Sequence, residues 1–255
     1  MSRISDAITD LHKMDMEAGK TGWLQGIHPL PKLLATLFFI MLTVSFGKYE
    51  LSRILKMGIY LIVLFVIGDI SVKLLLKRMK AVLLLVCLIG IANPFFDREP
   101  VFWLGTAVVT KGMISAATLM IKGIFAVSAS YLLMVTTSME DLCYAFRKLH
   151  IPKLFVTILM LVYRYIILFL KEIERMTDAY MLRAPGQKGI HYKAWGTMVG
   201  QLLLRSMDRA QTVYDSMMMR GYNGEFYLRC KKKACGSDYL YAIIWSAVLT
   251  CIRVM

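Results

Sequence analysis

Two arginines are each followed closely by a glycine, and both stand where a long helical pattern ends. Arg183 lies in RAPGQKG ahead of Gly186, and Arg220 lies in MMRGYNG directly before Gly221. Ordinary helix capping explains either segment alone, because glycine closes helices and a cation suits the negative end of the helix dipole. Arginine also pairs with carboxylates in a bidentate geometry. The repetition therefore predicts two cationic helix ends that dock into acidic pockets of a soluble partner.

The residue types that bind metals are spread along the chain. The four histidines stand between segments and are interpreted as hydrogen-bonded residues rather than ligands. Cys230 and Cys235 form one close pair, but a structural zinc site needs a second pair. The nineteen methionines are interpreted as adaptable packing residues, with soft-metal transport as the alternative. We therefore expect no metal site and no cofactor in this chain.

Sequence motifs of enzymes are missing as well. There is no GxxxxGK[ST] loop, which excludes ATP binding of the P-loop type. There is also no HExxH, GxSxG or paired CxxC motif. An intramembrane enzyme would need acids or histidines within its apolar segments, and none are found there. The sequence therefore predicts a protein that is not an enzyme.

The composition indicates a membrane protein. Of the 255 residues, 58% are hydrophobic, compared with about 45–50% in soluble domains. A net charge of +14 would suggest nucleic acid in a soluble protein. In a membrane protein, basic residues gather in cytoplasmic loops and favour anionic lipid head groups. We therefore expect membrane lipid as a partner and no nucleic acid.

Five apolar runs are predicted to cross the membrane as helices. The runs cover residues 33–47, 54–68, 81–96, a part of 101–135 that is clearest at 112–135, and 239–252. Gly90, Asn93 and Pro94 are expected to break the third helix near its outer end, either for structural reasons or for contact with a partner. The predicted fold class is all-α and polytopic, with about five transmembrane helices and two or three long amphipathic cytoplasmic helices.

The placement of residues 154–170 decides the topology, because this segment is also apolar enough to span. With a cytoplasmic N-terminus, four spans return the chain to the cytoplasm near Thr136. If 154–170 crossed too, the twelve lysines and arginines of 171–238 would lie outside, against the positive-inside rule. Arg164 would also sit in the bilayer, at a cost of at least about 2.5 kcal/mol. We therefore predict that 154–184 forms a long helix along the membrane surface.

A second long amphipathic helix is predicted from Tyr192 to Arg220. Its apolar residues recur every three or four positions and form one stripe, whereas Arg205 and Thr212 are placed on the other face. Such a helix is too polar to span, so it is expected to lie at the interface or against another helix.

The chain is interpreted as one domain over residues 1–255. A cytoplasmic N-terminus at 1–32 precedes four transmembrane helices at 33–135. A cytoplasmic helical region follows at 136–238, and the last transmembrane helix lies at 239–255. The organisation is that of a membrane domain with a helical insertion.

Three stretches resemble the transmembrane (T) components of energy-coupling-factor (ECF) transporters, and among them the CbiQ-like subunits of cobalt importers. Residues 136–184 resemble the family's Thr-Thr turn, first coupling helix, IPK turn and YRY helix, which leads to the first Ala-Arg-Gly-type motif. SMMMRGYNG at 216–224 resembles the second such motif. HPLPKLL at 28–34 resembles the family's Asp-Pro-Arg-x-Lys-Leu segment, with histidine and leucine in place of Asp and Arg.

Both coupling arginines of the family pattern are retained in this chain. The resemblance therefore assigns ATPase coupling to Arg183 and Arg220, together with Gly186 and Gly221. The first motif departs from the pattern, because Ala184 stands where the family has its glycine.

The resemblance implies the transmembrane coupling subunit of an ECF-type ABC importer. Two CbiO-like ATP-binding cassette ATPases would bind the ends of the coupling helices, and a CbiM- or CbiN-like membrane subunit would bind the substrate. ATP-driven motion of the helices would tip that subunit to release its load, cobalt for cobalamin synthesis. The expected location is the cytoplasmic membrane of a bacterium or an archaeon. The alternatives are a T component for vitamin or nickel uptake and a scaffold of a non-transport membrane complex.

Overall fold

A computed structural model of the chain describes most of its residues. The described residues are 9, 23–47, 50–68, 75, 80, 84, 88, 100–104, 107–186, 189–224, 226 and 236–254. In chain order the elements are α1 (Trp23–Gly26), α2 (Pro29–Ser45), α3 (Leu51–Gly68), β1 (Pro100–Leu104), β2 (Ala107–Thr110), α4 (Lys111–Thr136), α5 (Met139–Lys148), α6 (Lys153–Arg183), α7 (Tyr192–Met219) and α8 (Gly236–Val254). The helices confirm the predicted all-α polytopic class.

The chain divides into two compact units. The bundle unit consists of Glu17–Ser138 and Lys231–Met255, and the insertion unit consists of Met139–Cys230 with Met1–Met16. The insertion unit thus interrupts the bundle unit in the chain, close to the predicted limits of 136 and 238. The interpretation as a single domain stays a prediction.

The bundle unit is built from apolar helices around one core. Helix α2 contacts α4 and α8, and α3 contacts the same two helices. Phe39 of α2 stacks on Tyr60 of α3 with ring centroids 4.7 Å apart, and Trp245 of α8 meets Tyr60 edge-on at the same distance. Leu132 of α4 and Leu249 of α8 are fully buried in this cluster. Because lipid tails are as apolar as these side chains, close packing between the helices stabilises the bundle in a membrane.

The predicted spans agree with the observed helices where the structure describes them. Helices α2, α3, α4 and α8 take the places of the first, second, fourth and last predicted spans. The third, 81–96, with Gly90, Asn93 and Pro94, lies outside the described residues, apart from Leu84 and Leu88, which are helical.

In the part of the chain that the structure describes, three helices are long and apolar enough to cross a membrane. They are Leu51–Gly68, Gly112–Thr136 and Lys153–Arg183, and α2 is a shorter apolar helix. Only 33% of the apolar window of each of the first two is buried inside the protein. Their remaining apolar surface is suited to lipid, which identifies a multi-pass membrane protein.

A β-hairpin precedes α4, and the sequence did not predict it. Strands β1 and β2 are antiparallel, and Trp103 pairs with Val108. The range given for the fourth span started at 101, but the helix begins only at Lys111. The physical reason is the β-branched and aromatic composition of 101–104 and 107–110, which favours strands over a helix.

Candidate functional site at the ends of two long helices

Arg183 is the last residue of α6, and its side chain is exposed. The helix is capped by Ala184, whose backbone N–H donates to the carbonyl oxygen of Tyr180 at 3.0 Å. Gly186 follows with a φ of +94°, a left-handed conformation that favours glycine. The glycine therefore comes two residues after the cap, as the altered motif suggested.

Arg220 occupies a different position, the C-cap of α7. The backbone N–H of Gly221 donates to Met218 at 3.0 Å, and that of Tyr222 donates to Met217 at 3.1 Å. This pair of bonds is a Schellman motif, which requires the left-handed φ of +76° at Gly221. Arg220 is thus held by a closed hydrogen-bonded turn, and its side chain is exposed.

Both predicted arginines lack a counter-ion within the described part of the chain. In contrast, Arg175 and Arg205 form ion pairs with the same carboxylate, that of Glu172. Arginine is charged at all physiological pH values. The guanidinium groups of Arg183 and Arg220 are therefore cations available to an external acid.

The ion pair between Glu172 and Arg205 joins α6 to α7. Its carboxylate lies on α6, where the Glu172 side chain is 23% exposed, and its guanidinium lies on α7. Residues of α6 on the N-terminal side of Glu172 line the same cavities as residues of α7 on the C-terminal side of Arg205. The two helices are therefore antiparallel, and Arg183 and Arg220 lie at opposite ends of the pair.

The side of α7 that meets α6 carries residues from both predicted faces. Arg205 and Thr212 were placed opposite the apolar stripe, but both line the cavity that α7 forms with α6. Leu202 and Val213 of the stripe line the same cavity, whereas Trp195, Val199 and Leu203 are exposed. The ion pair between Glu172 and Arg205 is one of the contacts on this side of α7.

An apolar groove remains open between the two helices. Its volume is about 800 Å³, and it is lined mainly by apolar residues that include Ile158, Val162 and Ile166 of α6 and Met207 and Tyr214 of α7. Each of these five side chains is exposed. Contiguous apolar surface of this kind is typical of a site that binds another protein or lipid.

Helix α5 supports the Arg220 end of α7. The Arg147 guanidinium donates a hydrogen bond to the carbonyl oxygen of Phe226. The ring of Phe226 lies 5.2 Å from that of Tyr222, the residue that completes the Schellman motif. The position of Arg220 therefore depends on α5 as well as on its own helix.

Two of the described histidines accept a backbone hydrogen bond at the start of a helix. The Nδ1 atom of His28 accepts from Leu30 N–H at the start of α2, and that of His191 accepts from Lys193 N–H at the start of α7, each at 3.3 Å. His150 takes a φ of +61° in the turn after α5. Among the described residues, no three histidines, cysteines or acids are grouped to hold a metal.

Sequence reasoning missed the part played by HPLPKLL. The Lys32 ammonium of this motif is buried and donates to the carbonyl oxygen of Thr136 at 3.0 Å. Thr136 is the last residue of α4, and the insertion unit begins three residues later. Both segments, 28–34 and 136–184, resemble the family in sequence. No local sequence pattern shows that the two segments contact each other.

Comparison with known proteins identifies the family. Residues 20–229 match CbiQ, described as a cobalt transport protein. The chain belongs to the CbiQ family. The resemblance found in the sequence is thereby confirmed, and this CbiQ chain is a component of a transport system and a multi-pass membrane protein.

Individual relatives agree with this family. An uncharacterized protein of Methanocaldococcus jannaschii is 26% identical over 245 residues, covering 92% of the CbiQ chain and 83% of the relative. The putative fused cobalt transport protein CbiMQ of Methanocorpusculum labreanum is 25% identical over 118 residues, covering 46% and 20%. The nickel permease LarQ of Lactiplantibacillus plantarum is 27% identical over 106 residues, covering 42% and 39%. The last two are therefore matched over less than half of their own length.

Proposed function

We propose that this CbiQ chain is the coupling subunit of an ECF-type importer, with Arg183 and Arg220 as its contacts to two ATPase subunits. One observation supports this proposal above the others: two long helices end in exposed arginines that have no counter-ion among the described residues. Gly186 and Gly221 shape the turns that present them.

The spacing of the two arginines suits two ATPases. Arg183 ends α6 at its C-terminus. Arg220, at the end of α7, shares a cavity with Arg164 of α6. Positions 164 and 183 are about 28 Å apart at ~1.5 Å per residue. One acidic groove could not receive both ends, but two CbiO-like subunits could each receive one.

The apolar groove between α6 and α7 suits the substrate-binding membrane subunit. ATP-driven movement at either helix end changes the crossing of the helices and so the shape of this groove. The relative named as a fused CbiMQ protein supports a CbiM-like subunit as the occupant. The same apolar surface would contact membrane lipid where the subunit does not cover it.

The proposed topology places the insertion unit in the cytoplasm of a bacterial or archaeal cell. Length and composition would also let α6 cross a membrane. Against this, Arg164 stands within the apolar part of α6, where a charge in the bilayer costs at least about 2.5 kcal/mol. Membrane-impermeant labelling of single cysteines at 171–238 from outside the cell would contradict this topology.

Cobalt is the proposed cargo, since the family is described as a cobalt transport protein. Nickel is the second candidate, because one relative is a nickel permease. Uptake of radioactive Co²⁺ and Ni²⁺ by cells that express the complete transporter distinguishes the two. Competition by the unlabelled metals controls for non-specific entry.

The coupling role is tested by reversing both charges. Arg183→Glu combined with Arg220→Glu should abolish metal uptake, because breaking a buried charge pair costs about 2–5 kcal/mol at each end. Lys193→Glu is the control, since Lys193 is an exposed cation of α7 that lies outside the groove and the cavities and does not end a helix. Full uptake by the double variant would contradict the proposed function.

A further inference from the structure

One cavity connects the end of α7 with the middle of α6. Its volume is about 560 Å³, and it is lined by Arg220 from α7 and by Arg164 from α6. Ser216, Tyr222 and Asn223 add hydroxyl and amide groups to the same wall. The exposed arginine of the α7 end therefore shares this cavity with a second arginine.

Neither cation of this cavity is neutralised by the described residues. Arg164 and Arg220 form none of the ion pairs or side-chain hydrogen bonds found there, and no Asp or Glu lines the cavity. Two like charges that share a cleft between helices repel each other more than in bulk water. An anion that enters the cavity would remove this repulsion and gain charge-assisted hydrogen bonds from both sides.

We infer that Arg164 is a second cation of the α7 docking site and binds, together with Arg220, a carboxylate side chain of the ATPase subunit. The inference rests on the proposed function, in which Arg220 enters an acidic groove of that subunit. Guanidinium groups offer paired N–H donors that match the two oxygens of a carboxylate. The amide of Asn223 supplies a neutral donor for a remaining lone pair.

This arrangement makes the two docking sites unequal. Arg183 ends α6 about 28 Å along the helix from Arg164, which is too far for the two to share a ligand. The α7 site therefore binds its ATPase through Arg164 and Arg220, and the α6 site binds its ATPase through Arg183. The α7 contact is expected to depend more steeply on salt concentration, because more charge is paired there.

The test measures the affinity of the purified ATPase subunits for the full chain in lipid-free detergent. Arg164→Gln and Arg220→Gln should each weaken binding about tenfold or more, because each removes a cation from a shared carboxylate. The fold-loss of affinity in the double variant should be smaller than the product of the fold-losses in the two single variants, since the two residues act on one group. Arg209→Gln is the control, because Arg209 is an exposed arginine of α7 outside this cavity.

Three results would decide against parts of this assignment. If Arg164→Gln binds like the wild type while Arg220→Gln does not, the inference is wrong and the proposed function stands. If Arg183→Gln and Arg220→Gln both bind like the wild type, the proposed function is wrong. If Arg164→Gln loses affinity only in nanodiscs that contain phosphatidylglycerol, the anion is a lipid phosphate and the inference is wrong.

A folding control accompanies these measurements. The thermal unfolding midpoint of each variant is compared with that of the wild type, so that a loss of affinity reports docking. Arg164→Lys keeps the charge but not the paired donors, and we expect an affinity between those of the wild type and Arg164→Gln. An affinity of Arg164→Lys below that of Arg164→Gln would contradict the assignment.

Discussion

The ammonium group of Lys32 donates a hydrogen bond to the carbonyl oxygen of Thr136 at 3.0 Å, although the residues are 104 positions apart. Lys32 lies in the first turn of α2, and Thr136 is the last residue of α4. The last carbonyls of a helix have no partner within the helix and carry the negative end of its dipole, so a buried cation is well suited to them. The bond fixes the end of α4 directly before the chain enters the insertion unit.

Replacing Lys32 by methionine should therefore destabilise the bundle unit by about 2 kcal/mol, because a buried carbonyl loses a charged donor. The measurement is the thermal unfolding midpoint in detergent. Lys56→Met is the control, since Lys56 is exposed on α3 of the same unit. Equal midpoints for the wild type and Lys32→Met would show that the bond contributes nothing.

Replacing Gly221 by alanine should destabilise the Arg220 end of α7. A Cβ at this position meets nothing within 4 Å, so the expected cost of about 1–2 kcal/mol comes from the φ of +76° alone. Gly200→Ala, in the middle of α7 and equally free of neighbours, should instead gain up to about 1 kcal/mol. Hydrogen exchange of the α7 amides measures both effects, and changes of the same sign would contradict the Schellman assignment.

Cys143 of α5 should react slowly with maleimide. Burial raises the pKa of the Cys143 thiol, and the charge of Glu140 raises it further. The thiolate is the reactive form, and the pKa of an exposed thiol is about 8.5. Labelling of Cys143 should therefore begin to rise only above the pH at which an exposed thiol already reacts.

The comparison uses two variants in which the other cysteines are replaced by serine. One keeps Cys143, and the other carries Cys143→Ser with Thr197→Cys, an exposed position on α7. The raised pKa means that the folded state favours the neutral thiol, so its contribution to stability is present at neutral pH and is lost as the pH rises through the folded pKa. Equal labelling rates at every pH would show that Cys143 is accessible.

Replacing Gly58 by alanine should force α3 and α4 apart. A Cβ at Gly58 would lie 2.9 Å from Cζ of Phe125, which is closer than real Cβ contacts. Small residues permit such close approach of membrane helices. We expect a loss of about 1–3 kcal/mol in unfolding free energy.

Two further variants separate packing from helix propensity. Gly26→Ala, where nothing lies within 4 Å, should show no such loss. Phe125→Leu should restore stability to Gly58→Ala, because leucine is shorter than phenylalanine. If the two Gly→Ala variants unfold alike, the ring of Phe125 moves at no cost and the contact is not a packing constraint.

Most helices of this protein could be read from the sequence. The long helix predicted over 154–184 is observed at Lys153–Arg183, and the one predicted from Tyr192 ends one residue before Arg220. Apolar periodicity and a glycine after the last turn are local signals, and they do not depend on contacts between distant segments. The hairpin at 100–110 is the exception, because short apolar runs do not distinguish a strand from the start of a helix.

The sequence by itself determined that the chain is a polytopic membrane protein with two long amphipathic helices, each closed by an arginine and a glycine. Tertiary structure alone decided that Glu172 of α6 pairs with Arg205, that Arg164 shares a cavity with Arg220, and that Lys32 holds Thr136. Helix ends and apolar faces follow from residues three or four positions apart. Contacts between segments tens of residues apart depend instead on how the helices pack and on which charges then meet.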